Sequence, residues 1–116
     1  MELKMFEPGL TSTGAANANT NAIAATTAST YRAVPDAIGS DYVVYNDGPS
    51  IGAVAFSTAA GSSALMPAVS GSAGAAGDTI IPVGQSIPFS FNRPMTHWAG
   101  VSAGTCSLYV TKGQGN

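Results

Sequence analysis

The sequence predicts an all-β fold built from short antiparallel strands, and three observations predict it. In Ile87-Pro88-Phe89-Ser90-Phe91 the apolar residues occupy every second position, so Ile87, Phe89 and Phe91 share one face of a strand. Short runs rich in β-branched and aromatic residues recur along the chain, separated by Gly, Pro, Asn and Asp. The one stretch with helix-forming composition, the alanine-rich residues 15–28, is interleaved with Thr and Asn and carries no apolar stripe at helical spacing.

Residues 1–30 read as an extended low-complexity arm. Leu3, Met5, Phe6 and Leu10 give its first ten residues an apolar tip, closed by the turn signal Pro8-Gly9. From Thr11 to Thr30 only Ile23 is large and apolar, too little to offset a backbone ordering cost of about 1–2 kcal/mol per residue. The expectation is an arm that orders on a neighbouring subunit.

A β domain is expected over residues 31–112. Thr30-Tyr31-Arg32-Ala33-Val34 reads as an opening strand at a sheet edge, where the following Pro35 is tolerated. Asp41-Tyr42-Val43-Val44-Tyr45 is a strand, Asn46-Asp47-Gly48-Pro49 a turn, and residues 51–57 its return, which together predict a hairpin. Apolar residues on both faces of these two strands predict cover on both sides, from a second sheet or from a subunit contact. Residues 58–77 are a long exposed contact loop in which Leu65, Met66 and Val69 are the large apolar residues. Asp78-Thr79-Ile80-Ile81-Pro82-Val83 is a further strand. Residues 87–91, 97–101 and 106–111 then read as a three-strand meander, and residues 113–116 as a flexible tail.

Composition narrows the function. Of the 52 residues in the 45% hydrophobic fraction 20 are alanine, so the core is small; charged residues are 9% and the net charge is −2. The usual charged fraction is about 25%. A surface of Ala, Ser, Thr, Gly and Asn with weak self-repulsion suits a chain packed against other proteins. The four basic residues Lys4, Arg32, Arg93 and Lys112 are scattered among six acids, so no patch exists to displace counterions from phosphates, and nucleic acid is not expected as a partner. No apolar run approaches the ~18 residues of a membrane span, and Glu2, Lys4 and Glu7 interrupt the segment where a signal peptide is apolar, so cytoplasmic synthesis is expected.

Chemistry is sparse. His97 and Cys106 are the only residues of their types, with no second metal-type ligand at useful spacing, and the thiol's neighbours Thr105, Ser107 and Leu108 carry no charge or base that would activate it as a nucleophile. Asp36, Asp41, Asp47 and Asp78 stand beside turn residues, where an aspartate commonly bonds its own backbone. The glycines have no phosphate-cradling spacing. Neither an enzyme, a cofactor nor a small-molecule substrate is expected. The partner-binding candidates are Leu3, Met5, Phe6 and Leu10 of the arm, Tyr31 and Arg32 of the edge strand, and Leu65 and Met66 of the loop.

Several segments together resemble small virion proteins of tailed bacteriophages. They are Val44-Tyr45-Asn46-Asp47-Gly48 followed by Ala53-Val54-Ala55-Phe56-Ser57, then Ile81-Pro82-Val83-Gly84-Gln85, the run from Thr96 through His97-Trp98 to Thr105, and Ser107-Leu108-Tyr109-Val110-Thr111. Within that group the chain looks most like the capsid cement or decoration proteins of short-tailed phages. The resemblance covers residues 41–115 and rests on strand and turn patterns. It implies a jelly-roll-like antiparallel β-sandwich that binds the outside of an assembled head as a homo-oligomer and holds neighbouring major capsid proteins together, with no catalytic residue. A tail or head-to-tail connector protein has the same all-β build. A carbohydrate-binding module is a third reading; it would place Trp98 on an exposed face, with Tyr45 or Tyr109 as further candidates.

Overall fold

A computed structural model describes residues 6–8, 19–61, 63–64 and 78–114. Nine strands carry the described chain: β1 Glu7–Pro8, β2 Thr20–Ala25, β3 Thr30–Ala33, β4 Asp41–Pro49, β5 Gly52–Ser57, β6 Thr79–Ile81, β7 Ser86–Ser90, β8 His97–Ser102 and β9 Cys106–Gln114. They form two antiparallel sheets. Sheet A has the order β2-β9-β4-β7, with β1 added beyond β2 on the same edge of β9; sheet B has the order β3-β8-β5-β6. The fold is therefore all-β, as the strand patterns predict.

The two sheets face each other across one core. Tyr42 and Val44 of β4, Ile23 of β2, and Leu108 and Val110 of β9 meet Val54 of β5, Ile81 of β6 and Trp98 of β8. Tyr42, Val44, Trp98 and Leu108 are fully buried. The sheets approach closely at two glycines: a Cβ at Gly100 would stand 2.9 Å from Leu108 Cδ1, and one at Gly52 would stand 2.9 Å from Cys106 Sγ, so either would push a core side chain aside. Both glycines keep ordinary backbone angles.

Five expectations need correction. The hairpin of residues 41–45 with 51–57 does not form, because β4 lies in sheet A and β5 in sheet B. The strand continues through Asn46-Asp47-Gly48 to Pro49, and the buried Asn46 amide then bonds the carbonyls of Ser50 and Ile81, drawing the chain across to the other sheet. The meander does not form either: β7, β8 and β9 alternate between sheets A, B and A, each directing its apolar face to the same core. Short connections bridge the ~10 Å between packed sheets as readily as they close a hairpin.

The arm does not extend to residue 30. Thr20–Ala25 pairs along its whole length with β9, from Thr20 opposite Thr111 to Ala25 opposite Cys106, and Ile23 and Ala25 are buried. One isoleucine suffices here because β9 and β8 supply the rest of the apolar surface around it. Residues 113 and 114, expected in a flexible tail, belong to β9: Gly113 and Gln114 pair with Pro8 and Glu7. Cover on both sides holds for only one of the two strands expected to have it. In β4 burial alternates, with Tyr42, Val44 and Asn46 inside and Tyr45 and Asp47 outside, whereas β5 buries the adjacent Ala53 and Val54 on opposite faces.

Candidate functional site

The outward-facing residues follow from strand parity. On sheet B, Ala53 and Ala55 of β5, Ala99 and Val101 of β8 and Ile80 of β6 make a smooth outer face with small side chains, and Ala64 packs against it. The Ala64 amide donates to Ser29 Oγ at 2.8 Å, which ties residues 63–64 to the β2–β3 turn. Beside this contact lies an open groove of about 440 Å³ lined by Thr27, Ser29, Ser63, Val101 and Ser102.

On sheet A the outer face is different. Tyr109 of β9 lies directly opposite Tyr45 of β4, with Ala22 of β2 and Ser86 of β7 completing the row. Both tyrosines remain exposed, and Tyr45 Oη lies 3.5 Å from Asp47 Oδ1 as its donor.

Of the partner-binding candidates, Leu3, Met5, Leu10, Leu65 and Met66 lie outside the described residues. Phe6, beside β1, is half-buried. Tyr31 is 48% exposed on β3, its ring centroid 6.1 Å from that of His97. Arg32, its neighbour, is engaged within the chain: Nη1 donates to the Ala22 carbonyl at 2.7 Å, while Asn21 Nδ2 donates to the Ala33 carbonyl at 3.0 Å. These reciprocal bonds join the adjacent edges of the two sheets. Asn21 Oδ1 also accepts from Trp98 Nε1 at 3.1 Å, so the one tryptophan is both buried and bonded. A saccharide platform on Trp98 is thereby ruled out.

The structure separates His97 from Cys106. His97 is opposite Ser57 at the end of β5, whereas Cys106 packs on Gly52 at its beginning. His97 Nδ1 bonds Thr96 Oγ1 at 2.9 Å, and Cys106 is a buried free thiol. Among the described residues no three His, Cys, Asp or Glu side chains gather as metal ligands. Asp41 and Asp47, expected beside turns, lie within β4.

Tyr42 and Lys112, among the described residues, are perturbed in their titration. Burial raises the Tyr42 phenol above its ordinary value; the backbone bond to Met95 opposes this and the Asp41 charge adds to it. Burial lowers the Lys112 ammonium, with the Asp36 carboxylate opposing. The two residues are cross-strand partners at one end of sheet A, so both shifts belong to the same part of the core.

The tyrosine row is a feature the sequence reading did not assemble. Alternation places Tyr45 and Tyr109 outside, but only the register between β4 and β9 makes them neighbours. Compared with protein-family models, with curated proteins and with solved structures, the chain matches none.

Proposed function

We propose that this chain is a structural protein of a tailed-phage virion, one that binds the outside of the head as a homo-oligomer and cements neighbouring major capsid proteins. The observation that carries the reading is the strand order β2-β9-β4-β7 facing β3-β8-β5-β6, in which every connection from β2 to β9 except β5 to β6 crosses between the sheets. In this reading β2 to β9 are the eight strands of a jelly-roll sandwich, an architecture used by viral capsid and lectin domains. The 9% charged content supports it, because a surface with few charges loses little solvation on being covered.

Attachment falls to the residues ahead of β2, with Leu3, Met5, Phe6 and Leu10 as anchors, and to the exposed Tyr31. A cement protein makes many modest contacts repeated by symmetry, and each one after the first is effectively intramolecular. Deleting residues 1–12 is expected to leave the β body folded, judged by circular dichroism and a cooperative urea transition. Co-sedimentation of the truncated chain with heads built from its major capsid protein is expected to fall at least tenfold. Equal retention of the truncated and full chains on those heads overturns the assignment of the anchors. Absence of binding by the full chain overturns the function.

A further inference from the structure

We propose that Tyr45, Tyr109 and Asp47 form a stacking site for a neutral saccharide on the outer face of sheet A. The inference rests on strand register and exposure alone and does not depend on the virion reading.

The row Ala22–Tyr109–Tyr45–Ser86 runs across β2, β9, β4 and β7. Directly opposed residues in an antiparallel sheet have Cα atoms about 4.5–5.5 Å apart, so the two tyrosines rise from neighbouring positions on the same face. Tyr45 is 37% exposed and Tyr109 39%, the two large exposed side chains of this face. Their flanks are an alanine and a serine, which rise too little from the sheet to obstruct a flat ligand lying over the rings. The adjacent row is low as well: Thr111, half-buried, shares a 2.9 Å bond with Thr20.

A pyranose ring offers two kinds of surface, a C–H face that packs on an aromatic ring and a rim of hydroxyl donors. The tyrosines supply the first complement and the Asp47 carboxylate, an acceptor beside Tyr45 Oη, supplies the second. Charge selects the class. The charged side chains at the outward positions of β2, β4, β7 and β9 are Asp41 and Asp47, and the nearest cation, Arg32 at the Ala22 end of the row, is bonded to the Ala22 carbonyl. Such a surface repels nucleic acids and acidic glycans and leaves a neutral polyol as the complementary ligand. The outer face of sheet B differs: Tyr31 stands opposite Ala99 at the β3 edge, beside His97, and the rest of that row, Ala99 and the partly buried Ala55, is aliphatic with no carboxylate.

Native electrophoresis of the full chain through gels containing hydroxyethyl cellulose, laminarin or galactomannan tests the proposal, with dextran sulfate as the anionic comparison. Retardation by at least one neutral polymer and none by dextran sulfate is expected. Tyr45→Ala and Tyr109→Ala should each weaken that retardation about tenfold, the loss of one aromatic stacking contact, whereas Tyr109→Phe should preserve it. Emission from the buried Trp98 reports whether each variant is folded. No retardation by any of the three neutral polymers overturns the proposal, as does equal retardation of the alanine variants. It is also overturned if light scattering shows the alanine substitutions splitting an oligomer without any polysaccharide effect, which would assign the face to a second copy of the chain.

Discussion

The two ends of the core are held in different ways. Around Tyr42 the contacts are mainly aromatic: its ring centroid lies 4.8 Å from that of Phe56 and 5.8 Å from that of Phe91, and Phe56 in turn lies 5.1 Å from Phe89. Three of these rings are only half-buried. A directional bond is added by the Met95 amide, which donates to Tyr42 Oη at 2.9 Å. Around Asn46, four residues further along the same strand, the contacts are directional. Its amide donates to the Ile81 carbonyl at 2.8 Å and the Ser50 carbonyl at 3.0 Å, and its oxygen accepts from the Gly48 amide at 2.7 Å. Ser102 Oγ donates to the Ile51 carbonyl at 2.8 Å nearby. Packing without direction tolerates partial exposure and some slippage, whereas a buried amide with every bond made fixes where β4 stops and the chain changes sheets.

The largest effect is expected at the aromatic end. Phe56→Ala removes the ring shared by Tyr42, Phe89, Phe91 and Trp98 and should destabilise by about 3 kcal/mol in urea denaturation, at the low end for a phenylalanine because the ring is half-buried. Asn46→Ala should cost about 2 kcal/mol, since it leaves the Gly48 amide and two carbonyls without partners in a dry site. A cost below about 0.5 kcal/mol, the level of an ordinary surface change, would erase the distinction between the ends.

The smallest effect sharpens the contrast through pH. The titratable groups with shifted values, Tyr42 and Lys112, are both at the aromatic end. For Tyr42 the folded value lies above the unfolded one, so its stability contribution is complete below about pH 10 and is lost as pH rises through the folded value. For Lys112 the folded value lies below the unfolded one of about 10.5. Between the two values the unfolded chain binds more protons, and stability rises with pH. Urea midpoints measured from roughly pH 8 to 11 should therefore lose their rise in Lys112→Met and their high-pH fall in Tyr42→Phe. Asn46→Ala should lower the whole curve without changing its shape.

The sequence shows strands where alternation is strong and large side chains mark it, as in Ile87, Phe89 and Phe91 or Val44 and Tyr42. It does not show β2, where Thr20-Asn21-Ala22 and Ala24-Ala25 flank a single isoleucine and a strand looks like a linker. Nor does it show which strands pair, because a four-residue connection can close a hairpin or cross between two sheets with similar composition. Asn46 illustrates the limit: Asn-Asp-Gly-Pro carries a turn signal, and only the Ile81 carbonyl reaching it from the other sheet makes it part of the core. Of the candidate site, the outward parity of Tyr45 and Tyr109 is legible and their adjacency is not, since register is set by partners distant in sequence. Trp98 was open to core or platform readings, and its bond to Asn21 inside the molecule decides for the core.

The reciprocal bonds between Arg32 and the Ala22 carbonyl and between Asn21 and the Ala33 carbonyl have a consequence for solubility. Bare strand edges act as templates for fibril growth, and many proteins deter it with a row of lysines. This chain has few charges to spend on such repulsion. By turning one side chain of each border strand onto the main chain of the other, it occupies acceptors that a stray strand would otherwise capture.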